Sequence, residues 1–251
     1  MTEFFVDQLG VRVSGTRMEM GMLAGTDAAA EIRERLARHS AARVILASAP
    51  SQTELLDALT GADVDWSRVT LFHMDEYAGL DADHPASFRH YQREHVLDRI
   101  RPAAFHGIAG EAGDATAECA RYAALLAQAP IDVVCLGIGE NGHIAFNDPP
   151  VADFADPLAV KIVELDEACR GQQVNDGCFP SFDAVPRRAL TLTIPALMRG
   201  GALFCAVPGP RKAQAVQATL RGPIVSACPA SILRTHERAT LYLDRDSAAL
   251  L

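Results

Sequence analysis

The sequence predicts an α/β fold, a single domain doubly wound around a mostly parallel sheet with helices on both faces, Rossmann-like in plan. Three observations predict it. Short apolar runs alternate with helical stretches of about 10–15 residues, which is the pattern of βαβ units. Right-handed crossovers between parallel strands then put helices on both sides of the sheet. No internal repeat, low-complexity tract or Ser/Gly linker divides the chain, so residues 1–251 read as one domain.

The elements follow in order. Arg43 to Ser48 reads as an apolar strand, and Ser51 to about Leu59 as a helix that Ser51 and Glu54 would open as a capping box. Val69 to Met74 is a second strand and Ser87 to Arg99 a helix. Asp114 to Ala127 carries apolar residues at helical spacing and leads into the strand Ile131 to Leu136. Val160 to Leu165, Ala189 to Ile194 and Ala202 to Val207 are further strands. A helix starts after Gly209-Pro210, and Ala239 to Leu243 is a last short strand. Glu167 to Val185 has no clear period and holds Gly171, Gln172, Gln173, Asn175, Asp176 and Gly177. Two readings stand for it, a binding loop or lid and a plain surface excursion.

Composition narrows the class. Hydrophobic residues make up 49% and charged residues 22%, a globular balance. No apolar run approaches the roughly 20 residues that cross a bilayer, and Glu3 and Asp7 leave no basic segment for a secretory leader. The net charge of −9 argues against nucleic acid as a partner. A small anion remains compatible, because it needs only local cations and backbone N–H groups. The six cysteines form no C-x-x-C pair, which fits a reducing cytoplasm without structural disulfides or zinc. Cys135 and Cys205 read as core residues, whereas Cys169 and Cys178 flank a polar segment and are the candidate reactive thiols.

The chemistry concentrates just past two strands. After Ile131 to Leu136, Gly137, Gly139 and Gly142 allow a sharp turn and close approach to a ligand, and His143 and Asp148 follow. With Asn141 nearby, one ring nitrogen of His143 can be held by a carboxylate while the other meets substrate. The second strand runs into Asp75 and Glu76, acidic residues that strands disfavour. In open α/β sheets this carboxyl edge is where ligands bind. A competing metal set would use His73, Asp75, His143 and Asp148, with no metal-ligand motif behind it. Two helix starts offer anion sites. One is at Ser51; the other is Pro208 to Lys212, where exposed N–H groups, the helix dipole, Arg211 and Lys212 coincide. Arg211 and Lys212 point different ways on a helix, so only one need face the ligand.

Met74-Asp75-Glu76-Tyr77, Gly137 through Pro149, and Gly209 through Lys212 resemble the glucosamine-6-phosphate deaminase (isomerase) family, over roughly residues 20 to 245. The resemblance implies that His143 opens the pyranose ring, with Asp148 orienting it and Asn141 completing the set. It implies that Asp75 moves a proton from C2 to C1, that ammonia leaves from C2, and that no metal or organic cofactor takes part. Ser51, Gly137, Gly139, Arg211 and Lys212 are then the substrate-binding candidates. Family members often carry Asp at position 141 and Glu at 148, where this chain has Asn and Asp. Ala49-Pro50-Ser51 replaces the usual Gly-Gly-Thr phosphate loop, and proline removes one donor. Gly177 or a neighbour falls at the family's lid arginine, with Arg170 or Arg187 as substitutes. The proton-transfer set is thus expected intact and the grip on the 6-phosphate rebuilt.

Two alternatives follow from the same fold. One is a 6-phosphogluconolactonase-like hydrolase, although lactonases lack the Met-Asp-Glu-Tyr segment and continue differently after Gly-His. The other is a sugar-phosphate-sensing module without catalysis. Pro150 to Asp153 lacks the serine and arginine pattern of allosterically regulated members, and a homo-oligomer is left open.

Overall fold

The computed structural model describes residues 1–251. Eleven strands and seven α-helices alternate: β1 (Thr2–Val6), β2 (Leu9–Val13), α1 (Arg17–Arg38), β3 (Ala42–Leu46), α2 (Thr53–Thr60), β4 (Val69–His73), β5 (Asp75–Tyr77), α3 (Phe88–Gln92), β6 (Ala104–His106), α4 (Ala115–Leu126), β7 (Val133–Leu136), β8 (Val160–Glu164), α5 (Glu167–Asn175), β9 (Arg188–Leu192), α6 (Ile194–Met198), β10 (Ala202–Val207), α7 (Ala213–Arg221) and β11 (Ala239–Leu243). Eight strands form the main sheet in the order β1-β2-β11-β10-β7-β3-β4-β6, parallel throughout except for the β1–β2 hairpin. The expected mostly parallel sheet is therefore present.

Strand alternation divides the core between the two faces. Val44, Leu46, Val133, Cys135 and Phe204 pack under α1 and α2 on one side. Ile45, Val134, Leu136, Leu203 and Cys205 face the other side with α4 and α7. Close packing of α1 on α2 depends on Gly21 and Gly25. A Cβ at Gly25 would sit 2.4 Å from the Leu55 carbonyl oxygen.

Three features depart from the sequence expectation. The hairpin and α1 precede the first strand read from sequence, since five-residue strands and a helix interrupted by Gly21 and Gly25 give weak periodic signals. The segments read as strands near 160 and 190 leave the main sheet. They form a second, three-stranded antiparallel sheet with β5, in the order β5-β9-β8, in which β9 pairs with both β5 and β8. The expected helix at 87–99 is one short α-helix that runs into a π-helical stretch, Arg93–Leu97.

From β3 the chain moves outward to β4 and β6, then returns to β7 on the opposite side. The order reverses between β3 and β7, and a crevice opens at such a switch point beyond the strands' carboxyl ends.

Candidate active site

A cleft partly open to solvent, with about 70 Å³ of enclosed space, lies at that edge. Asp75 after β4, the Gly137 to His143 turn after β7, Ser51 after β3 and Lys212 after β10 all line it. The two groups read as proton carriers from sequence, Asp75 and His143, thus open on one space.

His143 is aimed by its own loop. The turn closes through hydrogen bonds from Gly139 N–H to the His143 carbonyl (2.9 Å) and from Gly142 N–H to the Gly139 carbonyl (3.0 Å). Gly142 has φ +86, a conformation open to glycine. A Cβ at Gly139 would lie 2.3 Å from the imidazole, so glycine there makes room for the ring. Nδ1 of His143 meets Oδ1 of Asp148 at 2.8 Å, which leaves Nε2 for substrate. Asn141 Nδ2 donates to the same oxygen at 3.0 Å. Burial alone would raise the Asp148 carboxyl, but the donors on it, His143 foremost, hold it below the usual carboxylate range.

Asp75 is built the other way. It is almost buried and accepts no hydrogen bond from the protein. Burial, and then the neighbouring Glu76 charge, push its carboxyl well above the usual range, which makes the carboxylate a stronger base. Glu76 points elsewhere. It accepts from Ser87 Oγ (2.8 Å) and from the backbone N–H groups of Phe88 (3.1 Å) and Arg89 (3.0 Å), so it anchors α3.

The metal set expected as an alternative does not converge. His73 is fully buried and its Nε2 accepts the Ile108 N–H at 2.7 Å; burial pushes the ring down to about 3. The side chains that do gather are His143, Asp148 and Cys169, with ligand-type atoms within 4.8 Å of one another. Neither candidate reactive thiol is activated. Burial pushes Cys169 well up and Cys178 up to about 11, away from thiolate character.

Of the substrate-binding candidates, Ser51, Gly137, Gly139 and Lys212 sit on the cavity wall, and Arg211 does not. Arg211 turns outward to Asp176 (2.7 Å), Glu140 (3.2 Å) and the Asn175 carbonyl (3.2 Å), latching the end of α5. Lys212 is buried, and no protein acceptor hydrogen-bonds its Nζ. Burial lowers the Lys212 ammonium. The helix start itself is not the expected bed of free N–H groups: Pro208 and Pro210 have none, and the Gly209 N–H goes to Asp244 at 3.0 Å.

The Ser51–Glu54 capping box is also absent. Ser51 lies in a 3-10 turn, α2 starts without a side-chain cap, and Glu54 pairs with Arg17 at 2.7 Å. The loop is fixed from outside instead, by Gln92 Nε2 on the Ala47 carbonyl (3.1 Å) and Tyr91 OH on the Ala49 carbonyl (2.7 Å). Beyond it an outer cleft carries Arg17, Arg211 and Lys212 against one carboxylate, Asp176. Arg170 and Arg187 supply nothing here. Arg170 is spent on the carbonyls of Phe182 and Val185, and Arg187 is exposed away from the cavity.

The segment 167–185 proves to be part of the site. It forms α5, and Gln172, Gln173 and Asp176 line the cavity. Sequence reasoning named these three only within a candidate binding loop, and it missed Asp166, the cap of α5, whose Oδ1 accepts the Cys169 N–H at 2.6 Å. The available signal was an aspartate directly after an apolar run, a helix-start cue.

Comparison with known proteins agrees with this geometry. Residues 16–242 match the family model described as glucosamine-6-phosphate isomerases/6-phosphogluconolactonase. A glucosamine-6-phosphate deaminase of Listeria innocua is 36% identical over 230 residues, 91% of this chain and 96% of that protein. One from Oenococcus oeni is 33% identical over 206 residues, 82% of this chain and 85% of that protein. A solved monomeric glucosamine-6-phosphate deaminase superposes with a TM-score of 0.88 at 32% identity, covering 96% of this chain and 99% of its own. A 6-phosphogluconolactonase of Shewanella baltica shares the fold at a TM-score of 0.77 and 18% identity, covering 96% of this chain and 99% of its own. The chain belongs to the glucosamine-6-phosphate isomerase/6-phosphogluconolactonase family.

Proposed function

We propose that this protein is an amino-sugar phosphate deaminase/isomerase. It converts glucosamine 6-phosphate or a close analogue to the ketose phosphate and ammonia, with residues 1–251 acting as one catalytic domain. The observation that carries this reading is the shared cavity of Asp75, His143 and Lys212. His143 shuttles a proton between the C1 hydroxyl and the ring oxygen, its Nδ1 side held by Asp148. Asp75 then takes the C2 proton of the open aldose; the C–H electron pair forms the C1–C2 double bond of an enolamine, and the C1 carbonyl π pair moves onto its oxygen, which takes up a proton. Returning the proton to C1 leaves an imine at C2, which water hydrolyses to the ketone, releasing ammonia. The steps are proton transfers and one hydrolysis by water, with no net oxidation or reduction, so the reading calls for no cofactor.

Lys212 and Ser51 receive the phosphate, and a buried cation without a protein acceptor is stabilised when an anion arrives. Arg17 stands at the outer rim. The lactonase alternative has no use for a raised carboxyl at Asp75, and identity to the deaminases is higher than to the lactonases. Six free cysteines support a reducing, cytoplasmic setting, where this step would return amino-sugar carbon to hexose phosphate.

The test is release of ammonia and fructose 6-phosphate from glucosamine 6-phosphate by the purified protein. Activity on a different amino-sugar phosphate would correct the substrate alone. Silence across a panel of 2-amino-2-deoxy hexose phosphates would overturn the reading.

A further inference from the structure

We propose that Asp166 is a positioning residue, which ties the His143–Asp148 relay to the seated position of α5 through the amide of Asn141. The proposal rests on the deaminase reading for its kinetic consequences and on geometry for its substance. The Asn141 carbonyl accepts the His143 backbone N–H at 3.1 Å, which fixes the orientation of the amide. Its NH₂ then faces two carboxylates, Asp148 Oδ1 at 3.0 Å and Asp166 Oδ2 at 3.2 Å. Both amide protons are used.

Asp166 serves both sides at once. One of its oxygens caps α5 through the Cys169 N–H, the other holds Asn141, and its own N–H approaches Asp148 Oδ2 at 3.4 Å. Helix α5 also touches the catalytic turn directly, where Gln172 Oε1 accepts the Glu140 N–H at 2.8 Å. Unseating α5 therefore loosens Asn141 and, with it, the carboxylate that orients the imidazole. The same geometry accounts for asparagine at 141. An aspartate there would lose both donated hydrogen bonds and place a third carboxylate beside Asp148 and Asp166.

Asp166→Ser separates the two duties, since serine caps helices nearly as well as aspartate but is too short to serve Asn141 as well. Asp166→Ala removes both. The expected result is that Asp166→Ser recovers most of the Tm lost by Asp166→Ala, while kcat falls about tenfold or more with KM changed less than about twofold. The acid limb of its kcat profile moves, because the Asn141 amide that donates to Asp148 is released and the Asp166 charge beside that pair is removed. A wild-type kcat and an unshifted acid limb in Asp166→Ser would overturn the proposal. So would a loss of kcat that tracks Tm alone. If the wild-type protein turned over no amino-sugar phosphate, the deaminase reading would fail separately. The downfield Nδ1 proton of His143 in NMR spectra would still decide here: present in wild type and lost in Asp166→Ser supports the role, and retained in both refutes it.

Discussion

At the relay end of the cavity, every polar side-chain atom of Asp148 and Asn141 has a protein partner, whereas at the anion end the Lys212 ammonium has none. The two regions prepare for substrate in different ways. A relay must be aimed before the sugar arrives, so the protein fixes its hydrogen bonds in advance, which is where preorganisation acts in catalysis. A cation that neutralises a substrate phosphate can wait unsatisfied, and the ligand completes it. Asp75 shares the first end but follows the second logic, buried without a donor and held strongly basic.

The largest break in this comparison is Asp75→Asn. Exchange of the C2 proton with deuterated water should fall by a factor on the order of 10²–10⁴. Stability should move the opposite way. The Asp75 carboxyl is raised in the folded state, so its contribution is fully present below the unfolded pKa and is lost as pH rises through the folded one. At pH 8 keeping the unpartnered Asp75 carboxyl buried is therefore a cost, and Asp75→Asn should raise Tm, with the gain vanishing near pH 4. Asp148→Asn should do the reverse. Its folded pKa is depressed, so it stabilises above the unfolded pKa and loses that as pH falls through the folded one. A lower Tm at pH 8 for Asp75→Asn would break the claim that Asp75 is left unsatisfied for catalysis.

Next in size is Lys212→Ala. Loss of a buried charge partner costs about 2–5 kcal/mol in comparable pairs, or roughly thirtyfold and upward in KM for the phosphorylated sugar. Weak turnover of unphosphorylated glucosamine should be nearly unchanged. Equal losses on both substrates would show that Lys212 supports the fold rather than the phosphate.

Legibility in the sequence follows the same division. Asp75, His143 and Asp148 could be read because each follows an apolar run at a strand's carboxyl end, and chain order alone puts those ends together. The fate of Arg211 could not be read, because it depends on Asp176 and Glu140, distant in sequence and brought near by the seating of α5. The same holds for the loop at Ala49: the donors that fix it, Tyr91 and Gln92, come from beyond β4. The membership of β8 and β9 in a second sheet was hidden too. Strand propensity marks an extended segment but not its partner, and here the partner is three residues long, Asp75 to Tyr77.

Arg17→Ala is the smallest effect and the one that sharpens the comparison most. Arg17 lies in the outer cleft, about half-exposed, and holds Glu54 and the Pro50 carbonyl. Exposed charge is screened by salt, whereas buried charge is screened far less. Its removal should raise KM only a few-fold at low ionic strength, and that difference should fade towards wild type at about 0.5 M salt. The Lys212→Ala defect should persist at the same salt. KM measured for both variants across ionic strength separates a rim that gathers the phosphate from a buried cation that grips it. A salt-insensitive Arg17→Ala defect would move the boundary between the two outward and make Arg17 part of the grip.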